Sequence, residues 1–244
     1  METTAYWDLI VHRIAIASLA LLASTIFSIA HADRDAIANF EQQQPTLPVW
    51  QPEGGEEISF IVRRNGSRFG RHEVRFERTE TGDLKVNNDI LLRVKIGPFT
   101  AYNYEHESQE IWQDGQLISL TGETRKERND LEVDASFRGE ELIVEGTRYE
   151  GAVPNNIIPS SHWNVQEVYS SAILSSEAGQ ILPIEVINRG RETITVAGQD
   201  IAATKYTLKS ELDVDLWYDD QGRWVKCAFE ARGQEIVYEL QSLY

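Results

Sequence analysis

Eleven residues, YNYEHESQEIW from Tyr102 to Trp112, gather two tyrosines, a histidine, three glutamates and a tryptophan. Three chemistries draw on such a set. His106 with Glu110 would serve acid–base catalysis or a metal ion, and the aromatic rings would line a hollow that holds a ligand. Spacing separates these options. The stretch reads as a β-strand, which puts Tyr102, Tyr104, His106, Ser108, Glu110 and Trp112 on one face. Asn103, Glu105, Glu107, Gln109 and Ile111 take the other. His106 and Glu110 then stand about 13 Å apart at ~3.3 Å per residue, too far to share one ion. All the aromatic side chains fall on the His106 face, so the stretch is half solvent ladder and half aromatic wall. Such a wall is either core packing or the lining of a pocket.

Other chemistry-bearing residues give weaker signals. His72 stands on an apolar strand face and His162 lies in an irregular segment, and the expectation for both is a hydrogen-bonded, partly buried imidazole. Catalysis would require Glu110, His106 and either His72 or His162 to converge on one cleft. The chain carries no G-x-S-x-G elbow, H-E-x-x-H pair or phosphate-cradling glycine loop. Asp213, Asp215, Asp219 and Asp220 do not match the calcium loop pattern, and their place around Trp217-Tyr218 fits a hairpin end. Cys227 is the single cysteine, set between Val225 and Phe229 in an apolar alternation. It reads as a buried, inert thiol, and no disulfide can form within the chain. Neither a metal nor a cofactor is expected, and no enzymatic activity.

Strands must position these residues. From Glu56 onward the sequence alternates with period two almost to its end. Ile58, Phe60 and Val62 share a face, as do His72, Val74 and Phe76 opposite a charged ladder of Arg71, Glu73, Arg75 and Glu77. Asn65-Gly66, Asp114-Gly115, Gly198 and Gly233 supply turn chemistry. The Asn87-Asn88-Asp89 run reads as a break in the third strand. Pro154 to Ser171 departs from the alternation, and Ser160 or Ser161 is placed to cap a short helix carrying Trp163 and Val168 inward. No βαβ rhythm occurs. The reading is mostly β: a single large curved antiparallel sheet, half-barrel or barrel, of about 11–12 strands with one or two short helices.

The first 55 residues read differently. Ile14 to Ala30 is a near-continuous apolar run after His12 and Arg13, and Ala30-His31-Ala32 forms an A-x-A cleavage site. Residues 1–32 are expected to be a signal peptide cleaved near Ala32, which places the protein in the periplasm. Membrane association is expected only through that segment before cleavage. Residues 33–55, with Pro45, Pro48, Pro52 and a QQQ run, read as a linker, with a short helix over Asp35 to Gln43. Residues 56–244 form the β domain. The net charge is −16, from 39 acidic against 23 basic residues. An exterior of that sign repels phosphate backbones, so no nucleic-acid partner is expected.

Three segments carry a family likeness. They are YxYxHxxxEIWxDGxL at Tyr102–Leu117, IIPSSHWN at Ile157–Asn164, and LWYDDxGRWVKxxF at Leu216–Phe229. Together they resemble a family of exported bacterial β proteins known only as a domain of unknown function, over roughly Glu56 to Leu240. More remotely the architecture is similar to periplasmic lipoprotein carriers and their receptors, half-barrels that hold acyl chains in an apolar cup. That likeness implies no functional residue here. Two readings stand. In one, Tyr102, Tyr104, His106, Trp112, Trp163 and His72 line a concave face that binds or carries a lipid or amphipathic small molecule. In the other the aromatics are core only, and the chain is a structural or protein-interaction module of the cell envelope whose partner is an envelope protein.

Overall fold

A computed structural model of the protein describes residues 47–96, 99–127 and 129–244. The expected signal peptide and the expected helix over Asp35 to Gln43 lie outside the described residues. Sixteen strands follow one another among the described residues. The first eight are β1 (Glu57–Arg64), β2 (Ser67–Arg78), β3 (Leu84–Ile96), β4 (Phe99–Gln113), β5 (Gln116–Lys126), β6 (Asn129–Arg138), β7 (Glu141–Gly146) and β8 (Tyr149–Val153). An insert follows, with the short strands β9 (Ile158–Pro159), β10 (Ala172–Leu174) and β11 (Ile181–Pro183) and one 310 helix, Val165–Tyr169. The last five are β12 (Glu185–Val196), β13 (Gln199–Lys209), β14 (Val214–Asp219), β15 (Trp224–Ala231) and β16 (Gln234–Leu240).

Thirteen strands form one antiparallel sheet in the order β12-β13-β14-β15-β16-β1-β2-β3-β4-β5-β6-β7-β8. Every neighbouring pair is consecutive in sequence except β16 with β1, where Phe60 faces Leu240 and Val62 faces Tyr238. That pairing splices two meanders into a single ladder. The ladder stays open, with β12 at one edge and β8 at the other.

Local chemistry explains the short connections. Asn65-Gly66, Asp114-Gly115, Ala197-Gly198 and Arg232-Gly233 each place two successive residues at positive φ. This is the type I′ geometry whose twist matches the flanking strands. The sheet bends at bulges between Val62 and Arg63, Ile111 and Trp112, Trp217 and Tyr218, and Asn188 and Gly190.

Inward parity builds the core. Ile58, Phe60 and Val62 on β1, Val74 and Phe76 on β2, and Leu117 and Leu120 on β5 are all buried. Each buried aliphatic or phenyl side chain contributes about 2 kcal/mol from apolar area alone. On the outer face of β2, Arg71 pairs with Glu73 and Asp89 while Arg75 pairs with Glu73. The charged ladder is thus real and solvent-facing. The third strand is not broken at Asn87-Asn88-Asp89: β3 runs unbroken through it, with Asn88 inward between Val86 and Ile90.

Two further expectations are corrected. The segment over residues 47–55, expected as linker, lies against the sheet. Pro52 is buried, its carbonyl accepts from Arg78 Nη2 at 2.6 Å, and the Trp50 ring meets Phe76 at 4.9 Å. The short helix is capped by Asn164, whose side chain accepts from the Gln166 amide at 3.0 Å. Ser160 and Ser161 lie too far upstream to reach that first turn.

The insert runs from the β8 edge to the β12 edge and packs into the concave face. Gly122 on β5 and Gly146 on β7 make room for it. A Cβ on Gly122 would stand 2.3 Å from the Ser176 carbonyl oxygen, and one on Gly146 2.6 Å from that of Ala178.

Candidate functional site

Strand β4 places Tyr102, Tyr104, His106, Ser108, Glu110 and Trp112 toward the interior, and all but the partly buried Tyr102 are buried. Glu105 and Glu107 stay outside, Glu105 held by Arg93 at 2.6 Å. The inward face then divides into a closed half around Glu110 and an open half around His106.

In the closed half, the Glu110 carboxylate is fully buried and its Oε2 accepts two indole N–H groups, from Trp112 at 2.7 Å and Trp163 at 2.9 Å. Asn88 Nδ2 donates to Oε1 at 3.5 Å. Burial pushes the carboxyl above its ordinary pKa, against the pull of these donors and of the nearby Ser161. The two indoles meet edge to face at 5.4 Å, and Trp163 meets Phe76 likewise. Trp112 and Trp163 therefore do not line a hollow. They pack the core and place their N–H groups on Glu110.

In the open half, a cavity of about 1230 Å³ lies between the insert and the concave face of the sheet. Tyr102, Tyr104, His106 and His72 all line it, joined from the insert by Ser161, His162 and Gln180. Carbon surface from Ile90, Leu92, Ile173, Ile184, Leu208 and Tyr238 forms much of the remaining wall. His106 is tied on both ring nitrogens. Nδ1 is hydrogen-bonded to Thr124 Oγ1 at 2.8 Å, and Nε2 lies 3.2 Å from Ser108 Oγ and 3.4 Å from Ser176 Oγ. Burial lowers its pKa to about 4, offset in part by Glu177 and Asp89. Tyr104 donates its hydroxyl to Glu177 at 2.8 Å. Glu177 also pairs with Lys126 at the rim.

His72 is the exception to the expectation of satisfied imidazoles. It is 3 % exposed, and neither ring nitrogen has a hydrogen-bond partner among the described residues. Its ring sits among Phe60, Trp224 and Tyr238, with Trp224 at 5.3 Å. Burial, reinforced by His162 and His106, lowers its pKa to about 3 against the opposing pull of the Asn88 side chain. The imidazole is neutral at any physiological pH. His162, at φ +64, adopts backbone rare for a side-chain-bearing residue. Its Nδ1 meets the buried Glu167 carboxylate at 2.9 Å, and Tyr218 donates to Glu167 at 2.5 Å. The histidines at 72, 106 and 162 thus share one cavity, while Glu110 lies outside its lining. Among the described residues, no group of three or more His, Cys, Asp or Glu side chains is placed to hold a metal ion.

The family model described as Domain of unknown function (DUF6134) matches residues 60–241. The chain belongs to that family. A search of curated proteins returns no match. Among solved structures, the chain is similar to the crystal structure of a beta-barrel-like protein of Domain of Unknown Function DUF1849 from Brucella abortus. The TM-score is 0.52 at 9 % identity, over 75 % of this chain and 94 % of that one. This likeness concerns the fold alone.

Four cavity features escaped the sequence reading: Asn88, Ser161, Gln180 and Glu177. For Asn88 the signal was present. Leu84, Val86, Asn88, Ile90 and Leu92 keep strict alternation, so a polar side chain at an inward position was readable. The other three come from the irregular insert, where no periodicity assigns a direction.

Proposed function

We propose that this DUF6134 chain is an exported, non-enzymatic binding module that holds an apolar or amphipathic small molecule between the insert and the concave face of its sheet. The observation that carries the reading is the cavity itself. Its volume of about 1230 Å³ has room for a drug-sized or acyl-chain ligand, and its wall combines apolar side chains such as Ile90, Leu92, Ile173 and Tyr238 with buried polar groups and a charged rim, the mixed lining an amphipathic molecule needs. The apolar run and A-x-A site at Ile14–Ala32 support export. The barrel-like relative supports the architecture and nothing further about ligand.

The test is native mass spectrometry of the protein expressed with residues 1–32 intact and recovered from the export compartment. The expected spectrum contains the chain lacking its leader together with a heavier species, which organic extraction converts to the first. Displacement of a bound environment-sensitive acyl dye by the extracted material completes the result. A spectrum of bare chain alone, with no dye bound at any concentration below micelle formation, overturns the proposal. That outcome would favour a structural or protein-interaction role in the envelope.

A further inference from the structure

We propose that the cavity selects ligands whose inward end is uncharged and bears hydroxyl groups, as in a long-chain alcohol or a monoacylglycerol, over carboxylates and cations of the same chain length. This rests on the binding-module reading above and specifies the ligand's polar end.

The inference starts from a coincidence of position. Buried side-chain polar atoms without a hydrogen-bond partner among the described residues belong to four side chains: both ring nitrogens of His72, Asn88 Oδ1, Ser161 Oγ and Gln180 Oε1. All four side chains line the same cavity. His72, Asn88 and Ser161 are at most 5 % exposed, so open solvent does not reach them. Buried polar groups are nearly always paired, and unpaired ones are costly. Ser161 stands beside Glu110 and Asn88 beside His72, but neither approach closes into a well-formed hydrogen bond, and four such side chains at one place mark a surface able to bond with something else.

The donor and acceptor inventory then defines the group. Asn88 Nδ2 points at the Glu110 carboxylate, and the reverse orientation would set two oxygens against each other. Asn88 Oδ1 is therefore fixed toward the cavity as an acceptor. Gln180 brings both an acceptor, Oε1, and the donors of its amide nitrogen. A neutral imidazole contributes one donor and one acceptor, and the Ser161 hydroxyl contributes a donor with acceptor capacity. The floor thus presents donors and acceptors together, with one acceptor, Asn88 Oδ1, fixed in direction. A carboxylate, which only accepts, would leave Asn88 Oδ1 facing its own negative charge. No cationic group balances it there, because His72 and His106 are both held neutral by burial. Hydroxyls donate and accept and so meet the whole set. A cationic head fails for the opposite reason, since it would have to shed its hydration with no carboxylate in the lining at that depth. At the rim Lys126 is paired with Glu177 and Arg232 with Glu127, and the remaining cations of the lining, Arg64 and Arg148, would hold an anion at the rim rather than at the floor. A ligand anchored at the rim with its tail inward would press methylenes on four unpartnered polar side chains.

Isothermal titration tests this with monolauroylglycerol, laurate and dodecyltrimethylammonium, each below its micellar concentration, against the full-length mature chain. Monolauroylglycerol is expected to bind about tenfold tighter than either charged probe, the scale of one or two buried hydrogen bonds. His72→Phe and Ser161→Ala should each lower monolauroylglycerol affinity about fivefold and leave laurate within about twofold. The wild-type series needs no variant, so a misfolded mutant would not obscure the result. Laurate or the cation binding as tightly as monolauroylglycerol overturns the head-group inference and leaves the binding-module reading standing. Failure of all three probes, with no dye binding, overturns both.

Discussion

His72 gives the sharpest thermodynamic prediction. The folded protein keeps this imidazole neutral, with a pKa near 3, whereas an unfolded chain returns it to the ordinary 6.5. Below pH 6.5 the unfolded state therefore binds a proton that the folded state refuses, and stability falls as pH falls. The loss begins near pH 6.5 and saturates only near pH 3. At about 1.4 kcal/mol per pH unit, one such histidine costs about 2 kcal/mol at pH 5 relative to neutrality. His106, whose folded pKa is about 4, costs a similar amount over the same interval. Together they remove about 4 kcal/mol from a domain whose total stability is of order 10 kcal/mol.

His72→Phe separates one contribution from the other. A phenyl ring suits the surroundings, because Phe60, Trp224 and Tyr238 already pack edge-on or tilted around that position. At pH 7 the variant should be more stable than wild type by about 1 kcal/mol, since two unpartnered buried nitrogens are gone. At pH 5 the gap should widen by about 2 kcal/mol, because only wild type pays the His72 proton cost. Urea unfolding at the two pH values, monitored by tryptophan fluorescence, gives both numbers. Parallel pH slopes for variant and wild type would refute the assignment of a neutral buried imidazole. Stability gained here together with hydroxylated ligand lost would identify His72 as kept for binding.

Two substitutions probe the frame around the cavity. Glu110→Leu strands two indole N–H donors and is expected to destabilise by about 3 kcal/mol in urea unfolding, whereas Glu110→Gln, which still offers an acceptor to both, should stay within about 1 kcal/mol of wild type. Gly122→Ala drives a methyl into the Ser176 carbonyl and should lower stability by about 2–3 kcal/mol, while limited proteolysis shifts its first cut into the insert.

How legible the molecule was in its sequence depends on whether a residue sits in a periodic segment. On β4 the period-two pattern assigned the inward side of Tyr102, Tyr104, His106, Glu110 and Trp112 correctly, because an alternating strand has only two faces. The same rule applied to Asn88 would have placed it inward. The Asn-Asn-Asp composition outweighed periodicity in that reading, although tertiary burial overrides local propensity. Periodicity does not say which stretch of an inward face is covered. Trp112 and His106 share a face, yet one meets Glu110 and Trp163 while the other meets the cavity. What separates them is the insert, whose path across the sheet leaves no trace in residue spacing.

That path follows from the topology. Splicing β16 to β1 sends the chain from the β8 edge to the β12 edge, and it crosses the concave face to get there. Irregular backbone inside a core must have its amides and carbonyls met by side chains, which accounts for much of the insert's serine content. Ser160 Oγ accepts from the Ser176 amide at 3.1 Å, and Ser175 Oγ from the Ala178 amide at 3.3 Å. Polarity of this kind is structural and fully used within the protein. His72 and Asn88 are different: they stand on regular strands whose backbone is already paired, and leucine or phenylalanine there would complete the apolar alternation of β2 and β3. Asn88 spends its amide nitrogen on Glu110, but Asn88 Oδ1 and both His72 nitrogens find no hydrogen-bond partner among the described residues. What they face is the cavity, and the chemistry they share there is that of a neutral hydrogen-bonding partner.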